Sequence, residues 1–291
     1  MKLQGCMTAL ITPFSNGQID FDALDRLIEE QISGGIQALV PCGTTGESPT
    51  LSHEEQDQVI DFTTTKAAGR VPVVAGTGSN STEEALRLTR HAKQAGADAC
   101  LVVNPYYNKP TQEGMFQHIQ RLAEAQLPIV LYNIPGRTGI ELTAETIVRM
   151  YEEIDMVIAL KEATGKIDTA SLVARDCEIS ILSGDDALTL PMGAVGGCGV
   201  VSVLGNLLPG EIRKLTDAML GGDLKTATAQ HQKLFDLCKV MFCETNPIPI
   251  KAAMAMLGKC KNELRLPMTP LSEKYVQPLK QALQDFGLNV S

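Results

Sequence analysis

Apolar runs rich in β-branched residues alternate with amphipathic stretches of helical period along most of this chain. Strand-like runs fall at residues 8–12, 37–41, 71–76, 99–104, 129–133, 156–161, 178–183 and 199–203. Between them, residues 20–33, 52–68, 82–95, 111–125 and 143–150 carry helical periodicity, several opened by an Asp, Ser or Thr suited to cap the first free N–H groups. Such alternation is the signature of a parallel sheet with crossover helices. Eight strand–helix units in about 220 residues predict an α/β fold of the closed (β/α)8 TIM-barrel type rather than an open doubly wound sheet. The missing G-x-G-x-x-G after the first strand weakens a dinucleotide fold further. Beyond the eighth strand the pattern is helical throughout, at residues 209–220, 223–241, 247–257 and 272–284. The expected organisation is a catalytic barrel over residues 1–222 and a C-terminal helical appendix over residues 223–291. That appendix is too short for a sizeable core of its own, so it should pack on the barrel or on another subunit.

One cation interrupts the apolar logic. The run Asp155-Met-Val-Ile-Ala-Leu-Lys161 ends in a lysine. Strict period-two alternation would set Lys161 on one face with Val157 and Ala159, and Met156, Ile158 and Leu160 on the other. Burial beside apolar side chains disfavours the ammonium form and leaves more free amine to attack a ketone. A lone lysine at a strand end more commonly extends into water, so its neighbours must decide.

The 34 acidic and 25 basic residues give a net charge of −9, and no Lys/Arg cluster appears along the chain. Nucleic acid is thereby an unsuitable partner, and an anionic substrate needs its own local arginine or helix N-terminus. Eight scattered cysteines without a C-x-x-C pair, and no signal sequence at the start, suit reduced thiols and a cytoplasmic protein. The four histidines show no metal-ligand spacing, so no metal is expected. No apolar run reaches the roughly 20 residues of a membrane span.

Barrel enzymes place their chemistry at the C-terminal ends of strands. After the second strand comes Gly43-Thr44-Thr45-Gly46-Glu47-Ser48, whose hydroxyls and N–H groups could hold a carboxylate or relay a proton; a common turn has the same composition. The fourth strand leads into Asn104-Pro105-Tyr106-Tyr107-Asn108, two phenols in a chain of five tyrosines. Tyr132 shares its face with Val130 and should point into the barrel, one strand before Lys161 and near enough to exchange protons with it. Arg137, in a Pro/Gly-rich turn, is a natural fork for a substrate carboxylate. After the seventh strand, Gly184 permits close backbone approach, and Asp185 and Asp186 can cap the next helix. Gly193, Gly196 and Gly197 lack basic company and read as space for a small substrate.

The motifs Gly43-Thr44-Thr45-Gly46-Glu47, Tyr132-Asn133-Ile134-Pro135-Gly136-Arg137-Thr138-Gly139 and Lys161-Glu162-Ala163-Thr164-Gly165 resemble those of the pyruvate-dependent class I aldolases related to N-acetylneuraminate lyase, most closely the dihydrodipicolinate synthases. The resemblance covers nearly the whole chain. It implies that Lys161 forms an imine with pyruvate, without a further cofactor, and that the derived enamine attacks L-aspartate 4-semialdehyde. Tyr132, Thr44 and Tyr107 would relay protons, with Tyr107 lent by a neighbouring subunit of a homotetramer built as a dimer of dimers. Thr45 and nearby N–H groups would hold the pyruvate carboxylate, Val201 would touch pyruvate through its main chain, and Arg137 and Gly184 would meet the aldehyde. Feedback by L-lysine would use Ser48, Pro49, His53, Gln56, Asn80, Glu84 and Tyr106, although Gln56 departs from the histidine or glutamate of strongly regulated members. Sister aldolases acting on N-acetylneuraminate or 2-keto-3-deoxy sugar acids are the alternative, and Arg137 weighs against them.

Overall fold

In a computed structural model, which describes residues 2–290, eight parallel strands form a single sheet. They are β1 (Gly5–Ala9), β2 (Ala38–Val40), β3 (Val74–Gly76), β4 (Ala99–Val103), β5 (Ile129–Asn133), β6 (Val157–Glu162), β7 (Ser180–Ser183) and β8 (Gly199–Ser202). Neighbours run in the order β2-β1-β8-β7-β6-β5-β4-β3, and a parallel bridge from Leu39 to Val73 joins the two ends. A ring of eight strands wrapped by helices is the expected TIM barrel.

The crossover helices begin where their capping residues dictate. Asp20 caps α1 (Phe21–Ser33) by accepting from the Ala23 N–H at 2.9 Å. Ser52 and Glu55 form a reciprocal capping box at the start of α2 (His53–Ala67). Ser81 caps α3 (Thr82–Gln94), Thr111 caps α4 (Gln112–Ala123) and Thr143 caps α5 (Ala144–Glu153). The circuit continues through α6 (Ile167–Asp176), the short α7 (Thr189–Gly193) and α8 (Pro209–Leu220). Three further helices follow: α9 (Leu224–Val240), α10 (Ile248–Met256) and α11 (Glu273–Asp285).

Two apolar layers separate on the strands by period two. Met7, Ala9, Val40, Val74, Leu101, Val130, Tyr132, Ala159, Leu182 and Val201 fill the barrel interior. Cys6, Leu39, Val102, Leu131, Leu160, Ile181 and Val200 face outward against the helices. Leu234, Leu237, Met241, Ile250, Met254, Leu279 and Leu283 from α9 to α11 join that same outer layer.

Three expectations change. The first strand lies at Gly5–Ala9 rather than at residues 8–12, because its span is set by pairing with β8, from Gly5 opposite Gly199 to Thr8 opposite Ser202. Alternation in β6 is not strict: Ile129 pairs with Val157 and Val130 with Ala159, so Ile158 is an extra residue in the strand. Val157 therefore belongs to the outer layer and Ile158 packs against the interior, while Lys161 keeps the inward direction through Ala159. Finally, Gly193, Gly196 and Gly197 precede β8 and so stand at the end of the barrel away from the strand C-termini. A Cβ on Gly193 would lie 2.2 Å from the Met219 sulfur, and one on Gly197 2.8 Å from the Met192 carbonyl oxygen. These glycines admit helix packing, not substrate.

Candidate functional site

At the C-terminal ends of β5 and β6, Tyr132 and Lys161 are paired neighbours. Both are buried, and Lys161 Nζ lies 4.0 Å from the centroid of the Tyr132 ring. The amine and the phenol thus share the barrel interior. On the opposite faces of the same strands, Asn133 and Glu162 are also buried. Asn133 Nδ2 donates to Glu162 Oε2 at 3.3 Å and to the Leu142 carbonyl, and its Oδ1 accepts from the Leu142 N–H and from Asn104 Nδ2. Glu162 Oε1 accepts from the Thr164 N–H at 2.6 Å. Burial pushes the Glu162 carboxyl up, against these hydrogen bonds. The network staples the ends of β4, β5 and β6 directly behind the amine and the phenol.

Above Tyr132 opens a cavity of about 420 Å³. Thr44, Tyr132 and Arg137 line it together with Ser48, Pro49, His53, Gln56, Glu84 and Tyr106. The sites expected for chemistry and for an effector therefore face one continuous cleft in a single subunit. Lys161, Thr45, Gly184, Val201 and Asn80 are not part of its wall. Val201 is buried in the barrel interior, and Gly184 donates its N–H to the Glu162 carbonyl at 2.8 Å. A Cβ on Gly184 would lie 2.5 Å from the Ala163 Cβ, so this backbone approach requires glycine.

The loop after β2 is held from behind. Thr45 is buried and its hydroxyl accepts from Asn246 Nδ2 at 3.0 Å, while the Asn246 carbonyl accepts from Arg137 Nη2 at 2.9 Å. Asn246 precedes a cis-proline just before α10, and its Oδ1 is buried without a partner. Motif reading missed this residue; the Asn-Pro dipeptide marks a turn, and nothing near it in sequence points to Thr45. Arg137 itself is exposed on a single helical turn (Pro135–Thr138), with its guanidinium at the cavity wall.

The expected effector positions lie at the starts of α2 and α3, on the turn before α2 and in the loop after β4. His53 Nε2 pairs with Glu84 Oε1, and the other Glu84 oxygen accepts from Ser79 Oγ. The Ser79 hydrogen bond, with smaller help from His53, holds the Glu84 carboxyl below the usual range. Gln56 is buried and donates to the Gly76 carbonyl at 2.9 Å, which commits its amide to the end of β3. Asn80 donates to the Tyr106 carbonyl at 3.1 Å. Tyr107, next in the chain, has a positive φ of 73° and is 90 % exposed. Its phenol stands clear of this subunit's cavity.

Among the described residues no group of His, Cys, Asp and Glu could hold a metal ion, and no helix is long and apolar enough to cross a membrane. All eight cysteines are free thiols. Burial pushes the Cys42 and Cys198 thiols up, which disfavours the nucleophilic thiolate. Asp185 accepts from the Ala187 N–H as expected of a cap, whereas Asp186 is buried and ties β7 to β8 through Ser202 Oγ and the N–H groups of Val203 and Leu204.

A model of the Dihydrodipicolinate synthetase family matches residues 2–286. A 4-hydroxy-tetrahydrodipicolinate synthase of Endomicrobium trichonymphae is 50% identical over 286 residues, covering 98% of both chains. The crystal structure of dihydrodipicolinate synthase from Aquifex aeolicus superposes with a TM-score of 0.98 at 47% identity, over 99% of this chain and 100% of that one. A dihydrodipicolinate synthase from Cyanidioschyzon merolae, solved with lysine bound, matches with a TM-score of 0.96 at 39% identity, over 98% of this chain and 99% of that one. The strand-end lysine, the inward phenol and these full-length similarities converge: the chain is an enzyme of the dihydrodipicolinate synthetase family, lyases of the class I aldolase type.

Proposed function

We propose that this enzyme condenses pyruvate with L-aspartate 4-semialdehyde to give 4-hydroxy-tetrahydrodipicolinate, through an imine on Lys161. The observation that carries the reading is the buried Lys161 amine set 4.0 Å from the Tyr132 ring at the catalytic end of the barrel. The amine attacks C2 of pyruvate and water leaves, forming an iminium that withdraws electrons from the methyl carbon. Loss of a methyl proton gives an enamine, whose carbon attacks the aldehyde. The amino group of the semialdehyde portion then adds to the imine carbon, closes the ring and expels Lys161. No further cofactor is needed.

Tyr132 carries the protons, linked through Thr44 to Tyr107 of the partner subunit. The exposure of Tyr107 supports a phenol lent across an interface, and a homotetramer arranged as a dimer of dimers in the cytoplasm accommodates it. Thr45 and the neighbouring backbone N–H groups hold the pyruvate carboxylate, and Val201 contacts pyruvate through its main chain. Arg137 pairs with the carboxylate of the aldehyde, and Gly184 faces the same substrate. The cation at Arg137 favours this acceptor over the polyhydroxyl chain of a sugar acid.

L-lysine binds beside Ser48, Pro49, His53, Gln56, Asn80, Glu84 and Tyr106. Support comes from the lysine-bound relative and from the Glu84 carboxylate, which suits an ammonium group. The cleft shared with Thr44 and Tyr132 gives the effector a short physical route to the proton relay.

Borohydride reduction in the presence of pyruvate tests the mechanism. The expected result is a permanent pyruvate-derived adduct, located on Lys161 by peptide mapping. An unmodified chain would remove the imine and the reading with it.

A further inference from the structure

Opposite the substrate side of the loop after β2 lies an ion pair that the chemistry above does not use. Lys251, on α10, is wholly buried, and its Nζ donates to Glu47 Oε1 at 2.5 Å and to the Thr12 carbonyl at 3.0 Å. The same Nζ lies 4.3 Å from the Phe14 ring centroid, and the Arg265 guanidinium lies over that ring at 4.5 Å. The second oxygen of Glu47 accepts from the Arg265 N–H at 3.1 Å. Glu47 itself adopts a left-handed conformation, φ 54° and ψ 34°, that a non-glycine residue holds only when its surroundings require it.

Burying two charges is a poor route to stability, since apolar side chains of similar volume often do as well or better. What a fixed pair supplies is direction. The Glu47 N–H donates to the Thr44 carbonyl at 3.1 Å, so holding Glu47 holds the Thr44 peptide. Thr12, whose carbonyl Lys251 grips, donates its hydroxyl to the Gly46 carbonyl at 2.7 Å. Gly46 cannot retreat: a Cβ there would already lie 3.1 Å from the Cys42 nitrogen and 3.2 Å from the Leu10 carbonyl oxygen. One ammonium therefore reaches Thr44 through Glu47 and Gly46 through Thr12, on either side of Thr45 in the chain.

We propose that Lys251 and Glu47 are positioning residues: their buried pair lets the C-terminal helical segment set the orientation of the Thr44–Thr45 loop toward the pyruvate carboxylate. This rests on the reading of Lys161 and Thr45 given above. Breaking the pair moves the loop and weakens pyruvate binding, whereas the amine, carried on another strand, keeps its chemistry. A merely structural pair behaves differently, because a smaller folded fraction lowers apparent kcat and leaves KM unchanged.

The test compares wild type with the double variant Glu47→Gln/Lys251→Met, which removes both charges at nearly constant volume. The expected result is a melting temperature near wild type, a KM for pyruvate raised about tenfold and kcat within about twofold. A wild-type KM in the double variant, with any change confined to apparent kcat, would overturn the proposal. If the double variant does not fold, the isosteric Glu47→Gln, which melts lower because Lys251 is left unpaired, carries the same expectation for KM and kcat and the same overturning result. Borohydride trapping on wild type is run alongside. Its failure sinks the imine reading, whereas trapping with an unchanged variant KM sinks only the positioning role.

Discussion

His118 shows how much one buried side chain can impose. Its Nδ1 is paired with Thr82 Oγ1 at 2.9 Å, its Nε2 is buried without a partner, and burial pushes the imidazole down from 6.5 to about 4. The ring stays neutral in the folded chain but takes up a proton in the unfolded chain below pH 6.5. Its contribution to stability is thus intact above that pH and is lost as pH falls towards 4, by about 3 kcal/mol. Replacing His118 with Gln should flatten this acid limb, so urea unfolding will show wild type losing about 3 kcal/mol more than the variant as pH drops from 6.5 to 4. Parallel pH profiles would show that His118 is not the titrating group. The same scale explains what motif reading could and could not find. Lys161 and Tyr132 stood out because a cation and a phenol close apolar strands, a contrast visible within six residues. Lys251 did not stand out, because its partner Glu47 lies 204 positions away.

At the scale of elements, barrel closure depends on the seam between β2 and β3. Their junction is the isolated bridge from Leu39 to Val73, just before β3, aided by bonds from the Leu39 N–H to the Pro72 carbonyl at 2.9 Å and from the Gly76 N–H to the Pro41 carbonyl at 2.9 Å. Gly76 is what permits the approach, since a Cβ there would lie 2.1 Å from the Cys42 carbonyl oxygen and 2.5 Å from its carbon. Gly76→Ala must push backbone against backbone. It should destabilise the protein by about 1–3 kcal/mol, read as a lower melting temperature, and an unchanged value would mean that the seam yields freely. Helix starts were legible because capping acts within three residues, as with Asp20, Ser52 and Thr143. The inserted Ile158 in β6 was not, because a bulge is defined by the partner strand it slips against.

For the whole molecule, the exposed Tyr107 and the cleft that lacks it belong together only if subunits exchange phenols. Tyr107→Phe should slow turnover about 100-fold while leaving pyruvate trapping intact. Mixed oligomers refolded from Tyr107→Phe and Lys161→Ala chains should then regain activity, because one site of each mixed pair would hold both a lysine and a phenol. Failure of the mixture, despite confirmed hybrid oligomers, would place Tyr107 in its own subunit's relay or outside catalysis. Sequence periodicity sets a boundary near Gly221-Gly222, yet the helices of residues 223–290 pack onto the barrel. Their apolar faces complete its outer layer, and Asn246 and Lys251 reach the loop that carries Thr44 and Thr45.

The amino-acid sequence by itself determined the alternation of strand and helix, the caps, the inward phenol and the amine at the end of its strand. Each of these follows from interactions between residues a few positions apart, which periodicity and local chemistry record directly. Tertiary structure alone decided where the ladder slips in β6, how β2 and β3 close, and which groups from α10 grip the loop after β2. Those outcomes depend on ring closure and on contacts between segments some 200 residues apart, as between Glu47 and Lys251. No local pattern encodes a distance that only the closed barrel creates.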